Sequence, residues 1–544
     1  MNSKIGKLRE QLKTYNLDAF LIPSNDEFQS EYVPDYANNL KSLIGFTGSN
    51  GALLISHNAI VFFTDGRYLL QAKQELSTDI KILDIANIHD NEFISGNIGF
   101  DPKLYTKSQI SRYLNCTLIP CGNLISLEVK PKPSEIFNYP IKYAGESSIQ
   151  KLQTLQTYLK QNALDAIIIT DSAVICWLLN IRAHDVACNP ILLSYAIYHN
   201  DGKLELFSNH KDSLPLTDLS KHLKLLENKK IQLDPDSASI WVSNHFKNPI
   251  YKQDPCILAK ACKNKTEINQ AKRIHVIDGT ALTKLLYWLD KNSLMTELSL
   301  AEKLLEFRSK HPDFFYPSFP SIAGFASNGA IIHYQPKEKT NKTLTGDGLL
   351  LLDSGGQYFG GTTDITRVIP IGKPTYEQKH NFTLVLKGHI ALATAIFPHG
   401  TSGGNLDILA RQFLLKEGKD YAHGTGHGVG SCLGVHEGPQ RISRFSSQAL
   451  KEGMILSNEP GYYKNGEYGI RIENLMLVVK LANGNLGFET LSLAPIDKRL
   501  ILNKLLSGQE KNWLNKYHAR IYKKLSPHLN KQEANWLRQK TQAI

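Results

Sequence analysis

Residues 350–370 read LLLDSGGQYFGGTTDITRVIP: an apolar run that stops at Asp353, a glycine-rich passage, and a second apolar run that opens around Asp364. Aliphatic and β-branched flanks mark strands and the glycines mark a turn, so the segment is expected to fold back as a hairpin with both carboxylates at one end of a sheet. Residues 454–479, MILSNEPGYYKNGEYGIRIENLMLVV, repeat the plan. Glu459 ends one strand and Asn465-Gly466 is a hairpin turn; the returning strand is expected to present Arg471 and Glu473 on one face through its period of two.

Either carboxylate pair alone reads as a solvated turn. Four carboxylates on apolar strands are different, because burying them uncompensated would cost many kcal/mol, which a pair of divalent cations offsets. Between the two segments lies YAHGTGHGVG, residues 421–430, followed by His436 in LGVHEG. His423 and His427 have the four-residue spacing of a helical zinc motif, but Gly424, Gly426, Gly428 and Gly430 each disfavour helix by roughly 1 kcal/mol, and the motif's glutamate is missing. The glycine spacing also fails the dinucleotide fingerprint. What remains is an extended or looping backbone that other groups approach closely, with imidazoles projecting from it. Oxygen-rich ligation with a single imidazole favours Mn²⁺ or Co²⁺ over a thiolate-bound zinc, and two such ions can hold one bridging hydroxide at neutral pH.

A chain of 544 residues, 42% hydrophobic and 21% charged, has an ordinary globular composition and is too long for one core. The polar start MNSKIGKLREQLKTYN lacks an apolar signal core, and the apolar run AIIITDSAVICWLLN is interrupted by Asp171, so neither secretion nor membrane insertion is expected. Seven cysteines without a C-x-x-C pair fit reduced thiols and the cytoplasm. The net charge of +11 is concentrated from Lys498 onward, where eleven Lys and Arg face only Glu510 and Glu533. That segment carries Trp513, Leu514, Tyr517 and Ile521 at helical intervals, as a helix packed on its own protein does, and nucleic acid is not an expected partner.

SKIGKLREQLKTYNLDAFLI near the start matches SSIQKLQTLQTYLKQNALDAIII from Ser147. Ile5, Leu8, Leu12 and Leu17-Asp18-Ala19 are echoed by Leu152, Leu155, Leu159 and Leu164-Asp165-Ala166. Two similar α/β domains follow, each a helix running into a buried strand, then further strands (GALLIS and IVFFTDG; PILLSYAIYH and KLELFS). Their boundary is placed in the proline-punctuated VKPKPSEIFNYP near residue 140. A third region opens with a long helix capped by Asn264 and Glu267, and a second helix is expected to open at Ser299 with Glu302 three residues on. The expected domains are 1–140, 141–258 and 259–544, an α+β chain with all the chemistry in the last.

The contexts LLLDSGG, TTDITR, HGTGHGVG, SNEPGYY and GIRIEN resemble those of the pita-bread dinuclear metallopeptidases, and within them the aminopeptidase P (Xaa-Pro aminopeptidase) family. FTGSNGAL, FFTDGRYLLQ and WLLNIR resemble its three-domain cytosolic form. The resemblance implies hydrolysis of the bond between a first residue and a second-position proline, through a bridging hydroxide on two divalent ions, Mn²⁺ with Co²⁺ or Zn²⁺ as alternatives. It implies the metal ligands Asp353, Asp364, His427, Glu459 and Glu473, with Asp364 and Glu473 bridging and Glu459 also the general base. His333 would help place the peptide, His436 would hydrogen-bond the scissile carbonyl, His423 would wall the proline pocket, and Arg67 in TDGRY would reach toward bound peptide. Arg471 is expected to neutralise the carboxylates, while His184-Asp185 and Tyr462-Tyr463 read as structural. A homodimer through the C-terminal domain is also implied. The competing functions are a prolidase limited to Xaa-Pro dipeptides and, from another class, a non-catalytic pita-bread binding module.

Overall fold

The computed structural model describes residues 3–88, 92–113, 115–125, 127 and 131–544. Met1, Asn2, Val129 and Lys130, named above in the N-terminal helix and the boundary segment, lie outside them. The chain forms two compact units, Met1–Ile141 with Glu146–Ile257, and Lys142–Gly145 with Leu258–Ile544.

In the first unit, helix Ser3–Thr14 buries Leu8 and Leu12 as helix Ser148–Gln161 buries Leu155 and Leu159. Each helix runs into a fully buried strand, Ala19–Pro23 or Ala166–Ile169. That strand pairs antiparallel with the next (Ala52–Ser56; Ser194–His199) and parallel with a later one (Asn97–Phe100; Ile231–Leu233). Both six-stranded sheets have the same strand order, so the sequence repeat is a repeat of topology. The echoed aspartates explain part of it: Asp18 accepts from the Asn97 amide at 2.7 Å and Asp165 from the Lys230 amide at 2.8 Å, each pinning the entry of the parallel strand. The strand expected from PILLSYAIYH begins only at Ser194. The Leu192 amide is taken by Cys176 Sγ at 3.1 Å and the Leu193 amide by Asp185 at 3.0 Å, which withholds both from the ladder.

In the second unit, helix Lys265–Lys291 opens with the expected Asn264–Glu267 capping box. The next helix does not open at Ser299. It spans Glu297–Ser309, capped by Thr296 with Ser299 as its reciprocal partner. Glu297 is drawn inside because its carboxylate accepts from the Phe325 and Lys342 amides at 2.7 and 2.9 Å, which starts the helix early. Strands Ile322–Phe325, Gly348–Ser354 and Ile365–Ile371 form an antiparallel sheet. A five-stranded sheet runs in spatial order Glu437–Ile442, Gly426–Gly428, Ile455–Asn458, Asn474–Lys480, Leu486–Thr490. One apolar core joins the first sheet to helices Lys265–Lys291, Tyr376–Ala393 and Gly508–Leu525, the last burying Leu514, Tyr517 and Ile521. Among the described residues no helix is long and apolar enough to cross a membrane.

The passage between Asp353 and Asp364 is more than a turn. Gly356–Tyr358 and Gly361–Thr362 make a small ladder of their own against Phe314–Pro317. Gly355 is required there, since a Cβ would sit 1.9 Å from the Thr363 carbonyl oxygen. The second segment also departs from expectation: Arg471 ends strand Tyr468–Arg471, whereas Glu473 lies between it and Asn474–Lys480, so one strand does not carry both. The chain changes ladders at this point, from pairing Arg471 with Gly461 to pairing Asn474 with Asn458.

Candidate active site

The ends of the two sheets meet at Thr366. The ladder sets Asp353 opposite Thr366, and Asp364 immediately precedes that strand. The Glu473 amide donates to the Thr366 carbonyl at 3.2 Å, and the Thr366 hydroxyl donates to Glu473 Oε2 at 2.8 Å, so the break between strands is what brings Glu473 in. His427 enters on strand Gly426–Gly428, squeezed between two neighbours. A Cβ at Gly426 would lie 2.0 Å from the Ser457 carbonyl oxygen and one at Gly428 2.4 Å from that of Glu437, so only glycine fits on either side. The Ser457 hydroxyl accepts from the His427 amide at 2.9 Å and donates to Glu459 Oε1 at 3.2 Å, tying the His427 backbone to the Glu459 carboxylate.

Asp364, His427 and Glu473 offer atoms that all lie within 4.8 Å of one another. His427 Nε2 is 3.4 Å from Asp364 Oδ2 and 3.5 Å from Glu459 Oε1. Its Nδ1 lies 2.9 Å from the Gly428 carbonyl, which can only accept, so Nδ1 donates there and Nε2 is the nitrogen that faces the carboxylates. Burial, then repulsion by Asp353 and Glu459, holds the Asp364 carboxyl well above its ordinary range. Burial and the charges of Asp364 and Asp353 do the same to Glu473. Glu459 is pushed up to about 7 by burial and by Glu473. Arg471 opposes this, reaching Asp353 Oδ2 at 2.5 Å and the Thr366 hydroxyl at 3.2 Å, but one guanidinium does not balance four carboxylates. Asp353 Oδ1 and Asp364 Oδ1 are buried and find no hydrogen-bond partner among the described residues. Orphaned carboxylate oxygens, an imidazole nitrogen facing them and an excess of buried negative charge fit a pair of divalent cations.

The remaining candidates are placed as follows. The His436 ring meets the His427 ring edge to face at 4.3 Å. His423 is buried, 4.8 Å from the Tyr421 ring and 5.5 Å from the Tyr463 ring, with Nδ1 3.9 Å from Glu459 Oε2. His333 is half-buried, just after the turn Ala326–Ala330, which packs on the strand that carries Arg471. Arg67 belongs to the other unit, where it forks onto Asp65 at 3.0 and 2.7 Å.

Tyr463, read from the sequence as structural, belongs to this cluster: its hydroxyl accepts from Arg471 at 2.7 Å and lies 2.9 Å from His423 Nε2. A signal was present. The hairpin pairs Tyr463 with Gly469, which puts it diagonal to Arg471 on the same face, and a glycine opposite leaves the space open. Thr366, the hinge between the sheets, carries no comparable signal.

Known families match along nearly the whole chain. Creatinase/Prolidase N-terminal domain models match residues 4–127 and 129–267, metallopeptidase family M24 matches 269–480, and the C-terminal region of peptidase M24 matches 484–544. The chain is 37% identical to a probable Xaa-Pro aminopeptidase P of Laccaria bicolor, over 98% of this chain and 92% of that one. It is 35% identical to Xaa-Pro aminopeptidase 1 of Dictyostelium discoideum, over 99% and 96%. The solved X-prolyl aminopeptidase of Caenorhabditis elegans, described as a cytosolic enzyme with a di-nuclear active site, superposes with a TM-score of 0.92 at 32% identity, covering 100% of this chain and 99% of that one. With two creatinase-type domains followed by an M24 pita-bread domain, the chain belongs to the Xaa-Pro aminopeptidase P family.

Proposed function

We infer that this chain is a metal-dependent aminopeptidase that removes the first residue of peptides whose second residue is proline. The observation that carries the reading is the convergence of Asp364, His427 and Glu473, with Glu459 and Asp353 beside them, in a chain of this family. Two ions held by Asp353, Asp364, His427, Glu459 and Glu473, with Mn²⁺ ahead of Co²⁺ or Zn²⁺, suit a donor set of carboxylate oxygens and one imidazole. Bound there, they supply Lewis acidity and make water a nucleophile at neutral pH.

The chain's own groups do the rest. Glu459 takes the proton of the attacking water and delivers it to the leaving proline nitrogen. His436 donates to the scissile carbonyl oxygen and stabilises the charge that grows there. His333 holds the peptide backbone near the scissile bond. His423, fixed between Tyr421 and Tyr463, forms the wall against which the proline ring packs. Family resemblance supports a homodimer through the C-terminal domain, a cytoplasmic location, and domain limits at 1–140, 141–258 and 259–544.

The test is incubation with Arg-Pro-Pro, Arg-Ala-Ala and the dipeptide Arg-Pro, with Mn²⁺ or with chelator. Arginine is expected from Arg-Pro-Pro, not from Arg-Ala-Ala, and only with metal. Equal release from both peptides, or release that survives chelation, would overturn the reading; cleavage confined to the dipeptide Arg-Pro would make the enzyme a prolidase.

A further inference from the structure

We propose that Arg411 is a positioning residue for proline specificity, acting by fixing the loop that carries His423; the proposal rests on the reading of His423 as the proline wall. Arg411 projects from helix Gly403–Leu415 and is 3% exposed. Its Nε donates to Asp407 Oδ2 at 2.7 Å, one helical turn back. Its Nη1 donates to Asp420 Oδ1 at 2.7 Å and to the Tyr421 carbonyl at 2.8 Å, and its Nη2 to the His423 carbonyl at 2.7 Å. The Tyr421 ring lies against the guanidinium at 3.9 Å. Residues 420–423 are therefore wrapped around one planar cation.

The same helix grips the loop a second time. Asp407 Oδ1 accepts from the Thr425 hydroxyl, which also meets the Tyr421 hydroxyl, both at 2.5 Å. The Thr425 carbonyl in turn accepts from the Glu459 amide at 2.8 Å, so the Glu459 backbone is held through Thr425 and Asp407 Oδ1, whereas Arg411 holds residues 420–423. Three of the four acceptors of the Arg411 guanidinium lie beyond the end of the helix at Leu415, so the arrangement holds the loop rather than the helix. What it fixes is the backbone on both sides of His423, and through it the tilt of a ring that touches Tyr421 and Tyr463.

Lysine cannot replace this. Its ammonium is a point donor on a flexible stem, so it keeps the charge facing Asp407 but cannot span two carboxylates and two carbonyls in one plane. Arg411→Lys should leave the fold and both ions in place and lower kcat/KM for Arg-Pro-Pro by roughly 10- to 200-fold, the range a shaped apolar pocket commands, with little change for Arg-Ala-Ala. The loss should fall on KM, because the ring is placed for binding.

The experiment measures kcat and KM on both peptides, bound manganese and melting temperature for Arg411→Lys, His423→Ala and the double variant, with Asp407→Asn replacing Arg411→Lys should the latter fail to fold. The expected result is a reduced proline-to-alanine ratio in each single variant, metal retained, and no further reduction in the double variant, since both changes disable one unit. If His423→Ala lowers the ratio and Arg411→Lys does not, the clamp is wrong and the pocket reading stands. Additive losses in the double variant, or manganese lost from Arg411→Lys, likewise overturn the clamp. An unchanged ratio in His423→Ala overturns the pocket reading and the clamp together.

Discussion

Arg471 donates to Asp353 Oδ2 at 2.5 Å and, with its other terminal nitrogen, to the Tyr463 hydroxyl at 2.7 Å, so one buried guanidinium holds both the carboxylate cluster and the tyrosine that meets His423. Removing one partner of a buried pair leaves the other charge uncompensated, at a cost of about 3–5 kcal/mol. Arg471→Met is therefore expected to destabilise the chelator-treated protein strongly and the metal-loaded protein less, because the ions share in neutralising Asp353. Thermal melts of both forms check this; equal destabilisation would remove Arg471 from the charge balance.

Asp364→Asn should abolish activity while leaving the fold intact. The side chain is 4% exposed and its Oδ1 has no partner among the described residues, so an amide of the same shape packs equally well but brings neither the charge nor the second anionic oxygen that two cations require. Circular dichroism and turnover on Arg-Pro-Pro decide it, and activity within about tenfold of the parent, where removal of such a charge group costs orders of magnitude, would contradict the assignment.

His436→Ala should reduce kcat by about 10²- to 10³-fold with bound metal unchanged, as expected for a group that acts on transition-state charge. Its ring meets that of His427 edge to face at 4.3 Å, beside the carboxylates that His427 Nε2 faces. Loss of metal from this variant would instead make His436 a ligand.

The raised carboxyls predict a pH dependence for the metal-free protein. Glu459 is at about 7 and Asp364 and Glu473 are well above their ordinary range, whereas all three titrate near 4 when unfolded. The native state thus binds more protons than the unfolded one across that window, so stability is greatest below about pH 4 from these groups and is lost as pH rises toward and through 7. With metal bound, cations replace the protons and the decline should vanish. Melting temperatures between pH 5 and 8, with chelator and with Mn²⁺, measure this; a chelated protein that gains stability as these groups ionise would refute it.

Much of this could be read before the structure, where the determinants were local. The Leu-Asp-Ala triplets announced a repeated unit because each aspartate has one job, holding the next parallel strand. Asn264 with Glu267 marked a helix start through a three-residue box. Where a distant group intervenes, local reading failed: Phe325 and Lys342 draw Glu297 inside and move a helix start from Ser299 to Thr296. The placing of Glu473 depends on Thr366, more than a hundred residues earlier, so strand alternation could not give it. Arg411 was invisible for the same reason, since an arginine on an amphipathic helix looks like any other until its carbonyl partners at Tyr421 and His423 are seen.

The central claim is that five side chains of one domain hold two ions on which catalysis depends. Chelated protein dialysed against increasing free Mn²⁺, with bound metal counted by mass spectrometry and turnover of Arg-Pro-Pro followed in the same samples, tests it most directly. The account predicts saturation at two ions per chain, activity that rises as the pair fills, and loss of that binding in His427→Ala. Saturation at one ion or none, or full turnover in the chelated protein, would contradict it.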